Sequence, residues 1–399
     1  MAVICAALET GLKMNFASVD TALNVATVAV CLFCANLLLL RRRDPGVYLP
    51  LALILLFKAL ATGVLELSEV QGMPVWVARL GLLLAGLEVA SPFLFWLYVR
   101  GLTSEGDLIR IPKLRRHILP IIAVVLCFWS ALFFPADLIE ADLAEDDPRI
   151  PGLLVMALLV LVGDVSFKIM IASYTYLTVR RLIAYQARLK DVFASTENKE
   201  LTWIWAILVS AALYLVLNVL HSVSIFVGAL GETDFEAEAL VLNSLALLAL
   251  FWVLGIWGLR QRPGLVREMQ DERPLPETPV EPKYEKSALD DARAQRIAEK
   301  IDAAMSQDML YRDPNLSLWD LAKHVGANSH YVSQALNTQL NKSFFDLVNG
   351  WRVKDAIQQL TTSDETILVI AYDVGFNSRS AFYKAFKRET GKTPSDLRK

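Results

Sequence analysis

Apolar residues fill long unbroken runs over the first 260 positions and thin to helical stripes beyond about residue 285. Seven runs are long enough to cross a bilayer core, which takes about 20 apolar residues in helix: 19–40, 47–66, 75–99, 118–136, 152–179, 203–230 and 238–259. Backbone groups in lipid have no water to pair with, so each run is expected to be helical. Between 261 and 285 the pattern stops. Pro263, Pro274, Pro276, Pro279 and Pro282 alternate with charges, as in an extended spacer that reaches roughly 75 Å at about 3.1 Å per residue. The expected fold is all-α: a seven-helix transmembrane bundle over 1–260, a linker over 261–285 and a soluble domain over 286–399.

Charge orients the bundle. Arg41–Arg43 follow the first run. Arg100, Arg110, Lys113, Arg115 and Arg116 follow the third, Arg180, Arg181, Arg188, Lys190 and Lys199 the fifth, and Arg260, Arg262 and Arg267 the seventh. The other side carries Lys13 and Arg149 beside acidic loops at 140–147 and 232–238. Positive loops stay in the cytoplasm, so the N-terminus is expected outside and the C-terminus inside. Residues 1–18 lack the basic start of a cleaved signal peptide. The 55% apolar content agrees with lipid-embedded segments. Cys31 and Cys34 form C-x-x-C inside an apolar run with no further ligand pair, so they are read as small fillers on one helix face and no metal is expected.

Ionisable residues inside spans are costly. Lys58 and Glu88 lie at similar depth in antiparallel spans. Asp164 and Lys168 are one turn apart on the fifth span. Asn218 and His221 fall on the sixth and Asn243 on the seventh. Three readings fit these residues: interhelical pairs that fix packing, a ligand pocket formed by Lys58, Glu88, Asp164, Lys168, Asn218 and His221, or an ion path. Glu66 and Arg79, near span ends, are expected to snorkel toward the interface. The seventh run has no lysine for a retinal Schiff base.

The soluble part contains a duplication. Leu321-Ala322-x-x-Val325-Gly326 recurs as Ile370-Ala371-x-x-Val374-Gly375, and Val332-x-x-Ala335-Leu336 recurs as Phe382-x-x-Ala385-Phe386. The spacing predicts two helix–glycine turn–helix units, about 317–338 and 366–388. Ser317 with Asp320 suits a capping box and Thr366 a second cap. A helix over 344–360 joins the units, with Phe345, Val348, Ile357 and Leu360 in the core. Burying the stripe on each second helix leaves His330, Tyr331, Ser333, Gln334 and Asn337 outward on one, and Arg379, Ser380, Tyr383, Lys384 and Lys387 on the other. Such sets suit a helix in the DNA major groove, with Gln334 able to pair adenine and Arg379 or Lys384 able to reach guanine edges or phosphates. Lys387 suits phosphate. From Gly375 onward seven basic residues stand against two acidic ones, so attraction to phosphate is local.

The run Ala371-x3-Gly375-Phe376-x5-Phe382-x3-Phe386-Lys387-x3-Gly391-x-Thr393-Pro394-x3-Arg398 resembles the AraC/XylS family signature. The resemblance covers roughly 287–399. It implies a bihelical DNA-binding domain with contacts at His330, Ser333, Gln334, Arg379, Ser380, Tyr383 and Lys384. The first recognition helix departs from the common pattern in having no Arg or Lys on its outward face. By architecture, the whole chain resembles membrane-bound members of this bacterial family with a seven-helix sensor.

Three function classes differ in how well they account for the two halves. A transcription regulator in the cytoplasmic membrane, its bundle sensing a small ligand or membrane state, accounts for both halves. Its expected partners are promoter DNA and membrane lipid, with a possible second copy of the chain; RNA polymerase is implied by the resemblance alone. A transporter with an attached DNA-binding domain is the alternative, with Lys58, Glu88, Asp164 and Lys168 carrying the coupling. An enzyme finds no support in H-E-x-x-H, G-x-S-x-G, P-loop or kinase motifs, and no cofactor is expected.

Overall fold

The apolar runs fold as helices because only internal hydrogen bonding satisfies their backbone. In the computed structural model, residues 2–40, 45–104, 114–133, 148–197, 199–228, 236–261 and 291–398 are described, without the side chains of 2–17, 45, 221, 224–228, 236–240 and 291. The chain divides into two units. The first comprises Met1–Leu182 and Thr202–Arg273, and the second Ile183–Leu201 and Pro274–Lys399.

In the first unit the helices are α1 Ala2–Leu39, α2 Pro45–Ser68, α3 Val75–Glu88, α4 Ser91–Leu102, α5 Arg115–Trp129, α6 Ile150–Val192, α7 Trp203–Gly228 and α8 Glu236–Arg260. The last residues of α6 belong to the second unit. Among the described residues, six helices are long and apolar enough to cross a membrane, or seven if α3 and α4 form one broken span. That break corrects the single helix expected over 75–99. The chain bends by 41° between α3 and α4, and Pro92 stands in the first turn of α4. Proline has no N–H to give and its ring crowds the carbonyl four residues back. The run over 118–136 is also interrupted: α5 stops at Trp129 and a 3-10 turn spans Ser130–Phe133, while 134–136 lie outside the described residues. The run over 152–179 extends to Val192.

Helix α1 packs against α2 and α8, and α2 also packs against α3 and α4. Cys31 and Cys34 are buried, as their apolar setting implied. Gly255 on α8 faces Cys34, whose sulfur would lie 2.6 Å from a Cβ there, so the missing side chain sets the close approach. Glu66 does not snorkel. Asn24 Nδ2 donates to its Oε1 at 2.8 Å and to Asp20 Oδ2 at 3.1 Å, and Ser244 Oγ donates to Asp20 Oδ1 at 2.6 Å. A polar network thus ties α1, α2 and α8 together. Arg79 is exposed.

In the second unit, α9 Asp291–Ser306 precedes two helix pairs joined by a longer helix. The first pair is α10 Leu318–Val325 and α11 Ser329–Thr338. The joining helix is α12 Phe344–Thr362. The second pair is α13 Ile367–Asp373 and α14 Arg379–Thr390, followed by the short α15 Pro394–Leu397. Side-chain caps start most of these helices. Ser317 and Asp320 form the expected capping box, and Asn328, Ser343, Thr366, Ser378 and Thr393 each accept a backbone N–H. One core cluster gathers Leu321, Val325, Val332, Leu336 and Val348. A second gathers Leu360, Ile370, Val374, Phe382 and Phe386. On α12 the register differs slightly from expectation. Phe344 is fully buried while Phe345 is half-exposed, with the Arg388 guanidinium 5.3 Å from its ring centroid.

Candidate functional site

Each helix pair turns on a glycine in the left-handed region. Gly326 has φ +65° and closes α10. Gly375 has φ +97°, and a Cβ there would lie 2.7 Å from the carbonyl oxygens of both Tyr311 and Arg312. The second turn therefore presses against the loop before the first helix pair. Arg352 on α12 holds that same loop. Fully buried, it donates to Tyr311 O and Asp313 O, both at 2.7 Å, and lies 5.5 Å from the Phe376 ring centroid. Burial pushes its guanidinium down to about 10, which leaves it charged near neutrality. Tyr311 OH and Arg312 Nη2 meet Asp355 Oδ2 at 2.9 and 2.8 Å. These contacts lock the first pair to the second through α12. Sequence reading assigned Arg352 no role, because a lone arginine on a polar-looking helix gives no sign of burial.

The caps set the pose of each second helix. Asn328 and Ser378 accept from His330 N at 2.8 Å and Ala381 N at 3.2 Å. With Val332, Ala335 and Leu336 buried, His330 and Asn337 are exposed while Ser333 and Gln334 are half-buried. With Phe382, Ala385 and Phe386 buried, Arg379, Ser380, Lys384 and Lys387 are exposed. Tyr383 is half-buried. The Arg379 guanidinium lies 5.1 Å from its ring centroid and Ser395 Oγ lies 3.4 Å from its hydroxyl. The Ser395 hydrogen bond, then the nearby Arg379, hold the Tyr383 phenol below its ordinary value.

In the first unit, two of the sequence-predicted groups pair. Lys58 Nζ meets Glu88 Oε2 at 3.5 Å, their side chains 16% and 26% exposed. Lys168 pairs with Asp164 and donates to Ser222 Oγ at 3.0 Å. Lys58 and Glu88 line a cavity of about 410 Å³ whose other walls include Phe95, Tyr174, Tyr214 and Phe251. Asp164, Lys168 and Asn218 are outside that lining, although Asn218 stands one helical turn from Tyr214. The His221 side chain lies outside the described residues. Sequence reading missed His117, whose Nδ1 is 2.9 Å from Tyr174 OH and whose ring stacks on Phe93 and Trp96. Among the described residues, no group of three or more His, Cys, Asp or Glu could hold a metal ion.

Within the second unit, residues 321–399 match the family described as a helix-turn-helix domain. An uncharacterized HTH-type transcriptional regulator from Staphylococcus aureus is 31% identical over 112 residues, covering 28% of this chain and 14% of its own length. The raffinose operon transcriptional regulatory protein of Pediococcus pentosaceus is 32% identical over 104 residues, covering 26% of this chain and 38% of its own. The chain thus spans well under half the length of these relatives. Among solved structures, the C-terminal domain of AraT, a response regulator from Geobacillus stearothermophilus, aligns with a TM-score of 0.24 and 23% identity, over 28% of this chain and 87% of that one.

Proposed function

We propose that this protein is a membrane-anchored, sequence-specific transcription regulator of the AraC/XylS type, held in the bacterial cytoplasmic membrane with its C-terminal domain in the cytoplasm. The observation that carries the reading is a two-fold helix-turn-helix domain, locked through Arg352, in one chain with six or seven membrane-length helices. The second recognition helix reads DNA with Arg379, Ser380, Tyr383, Lys384 and Lys387. The first, bearing His330, Ser333, Gln334 and Asn337, makes weaker polar contacts because it lacks a cation. The bundle senses a small, mainly apolar ligand in the 410 Å³ cavity, where the Lys58–Glu88 pair supplies the polar recognition. Apolar walls with few convergent polar groups are what small-molecule sites have in common. A ligand acts on the regulator only through its preference for one state of the bundle.

The test is footprinting on promoters recovered with the full-length protein in lipid nanodiscs. Arg379→Ala with Lys384→Ala is expected to abolish specific protection, at about 1–3 kcal/mol for each lost base contact, while membrane insertion is unchanged. Full protection by the double variant would reject the assignment.

A further inference from the structure

We propose that the stretch after α6, residues 193–197 with 199 and 200, is a built-in competitor of DNA: it packs against α10, α12 and the second recognition helix α14, and must leave before α14 engages a phosphate backbone. The inference rests on the DNA-binding reading above.

The segment is docked as part of the domain. Phe193 pairs with Ser317 in an antiparallel bridge. Ala194 N donates to Leu316 O at 3.2 Å, and its carbonyl accepts from the buried Asn349 Nδ2 at 3.1 Å. Both backbone groups of Ala194 are therefore satisfied by the domain, and its side chain joins the first core cluster. Phe193 is 1% exposed. One contact is Trp319, edge-on at 5.8 Å between ring centroids, and another is Lys199 Nζ, 3.2 Å from its own centroid. Lys199 and Glu200 return to α6. Tyr185 OH donates to Lys199 O at 3.1 Å and Gln186 Nε2 to Glu200 O at 2.9 Å.

This fold brings the Glu197 carboxylate to the N-cap of α14, while Thr196 Oγ1 donates to Glu200. Ser378, that N-cap, donates its hydroxyl to Glu197. Glu197 and Glu200 share with Ser380, Lys384 and Arg388 the walls of a cleft of about 260 Å³. A helix N-terminus with nearby cations is where a DNA phosphate would be held. A carboxylate already placed there supplies the acceptor and repels a second anion. Ser380 and Lys384 are also two of the five α14 side chains assigned to DNA. Helix α6 runs unbroken from Ile150 and ends one residue before Phe193. An axial shift of α6 would therefore pull directly on the docked segment.

The experiment uses the full chain in lipid nanodiscs and a pool of mixed-sequence DNA duplexes. Glu197→Gln with Glu200→Gln is expected to tighten binding about tenfold. The charge-matched pair Glu299→Gln with Asp302→Asn, on the exposed face of α9, should change it less than about twofold. In the unmodified protein, saturating DNA should speed hydrogen exchange at Ala194, whose amide is bonded to Leu316 O. Equal tightening by both pairs, or an Ala194 amide that stays protected on DNA, would overturn competition and leave the DNA-binding reading standing. Absence of DNA binding by every variant would remove both.

Discussion

Gly326 and Gly375 occupy the same place in the repeat, yet their surroundings differ. An alanine at Gly326 meets nothing within 4 Å, so its penalty is the left-handed backbone alone, about 1–2 kcal/mol. At Gly375 the same methyl would strike two carbonyl oxygens at 2.7 Å, and relief requires the 311–312 loop to move off Arg352. Gly375→Ala is therefore expected to destabilise by about 3 kcal/mol or more, more than Gly326→Ala, read by native-state hydrogen exchange of α13 and α14. Arg352 gives a related prediction. Arg352→Met keeps the stem but leaves two carbonyls without their charged donor, a loss of about 3 kcal/mol. Its amides on α12 should exchange faster along with those of the second helix pair. The duplication showed both glycines. Only the packed loop distinguishes them.

At the scale of elements, the third apolar run shows a limit of hydropathy. Its length and composition suit one span, and Pro92 is visible within it, but some prolines are absorbed into a helix and others break it. Pro50 and Pro120 lie inside α2 and α5, whereas Pro92 begins a new helix. The break follows Glu88, which pairs with Lys58 on α2. Lys58→Met strands a carboxylate among apolar walls and should cost about 3–5 kcal/mol. Lys58→Met with Glu88→Met should recover most of that loss, as a double-mutant cycle of thermal stability in nanodiscs would record. Sequence depth alone suggested this pair, and the structure places its members at contact distance. The Asp20–Asn24–Glu66–Ser244 network had no comparable signal, because its members come from three helices distant in sequence.

For the whole molecule, the proposed topology puts Lys399 in the cytoplasm. A fluorescent reporter fused after it should mature, and an alkaline phosphatase fused there should stay inactive; the opposite pair of results would rule out DNA reading in the cell. Filling the cavity offers a separate test of sensing. Ala211→Trp, on its wall, should leave promoter occupancy intact while making transcript levels unresponsive to the inducing condition, as transcript profiling would measure.

The sequence by itself determined what local patterning controls: helical runs, their expected orientation, the caps, the glycine turns and the two buried stripes of the repeat. Each follows from interactions within a few residues or from the solvent a segment must meet. The tertiary structure alone decided what depends on distant partners. It buried Arg352, formed a cavity beside Lys58 and Glu88, bent the third run and set Glu197 against the N-cap of α14. Those outcomes turn on which surfaces meet across some 40 to 180 positions, and the periodicity of a single chain carries no record of that.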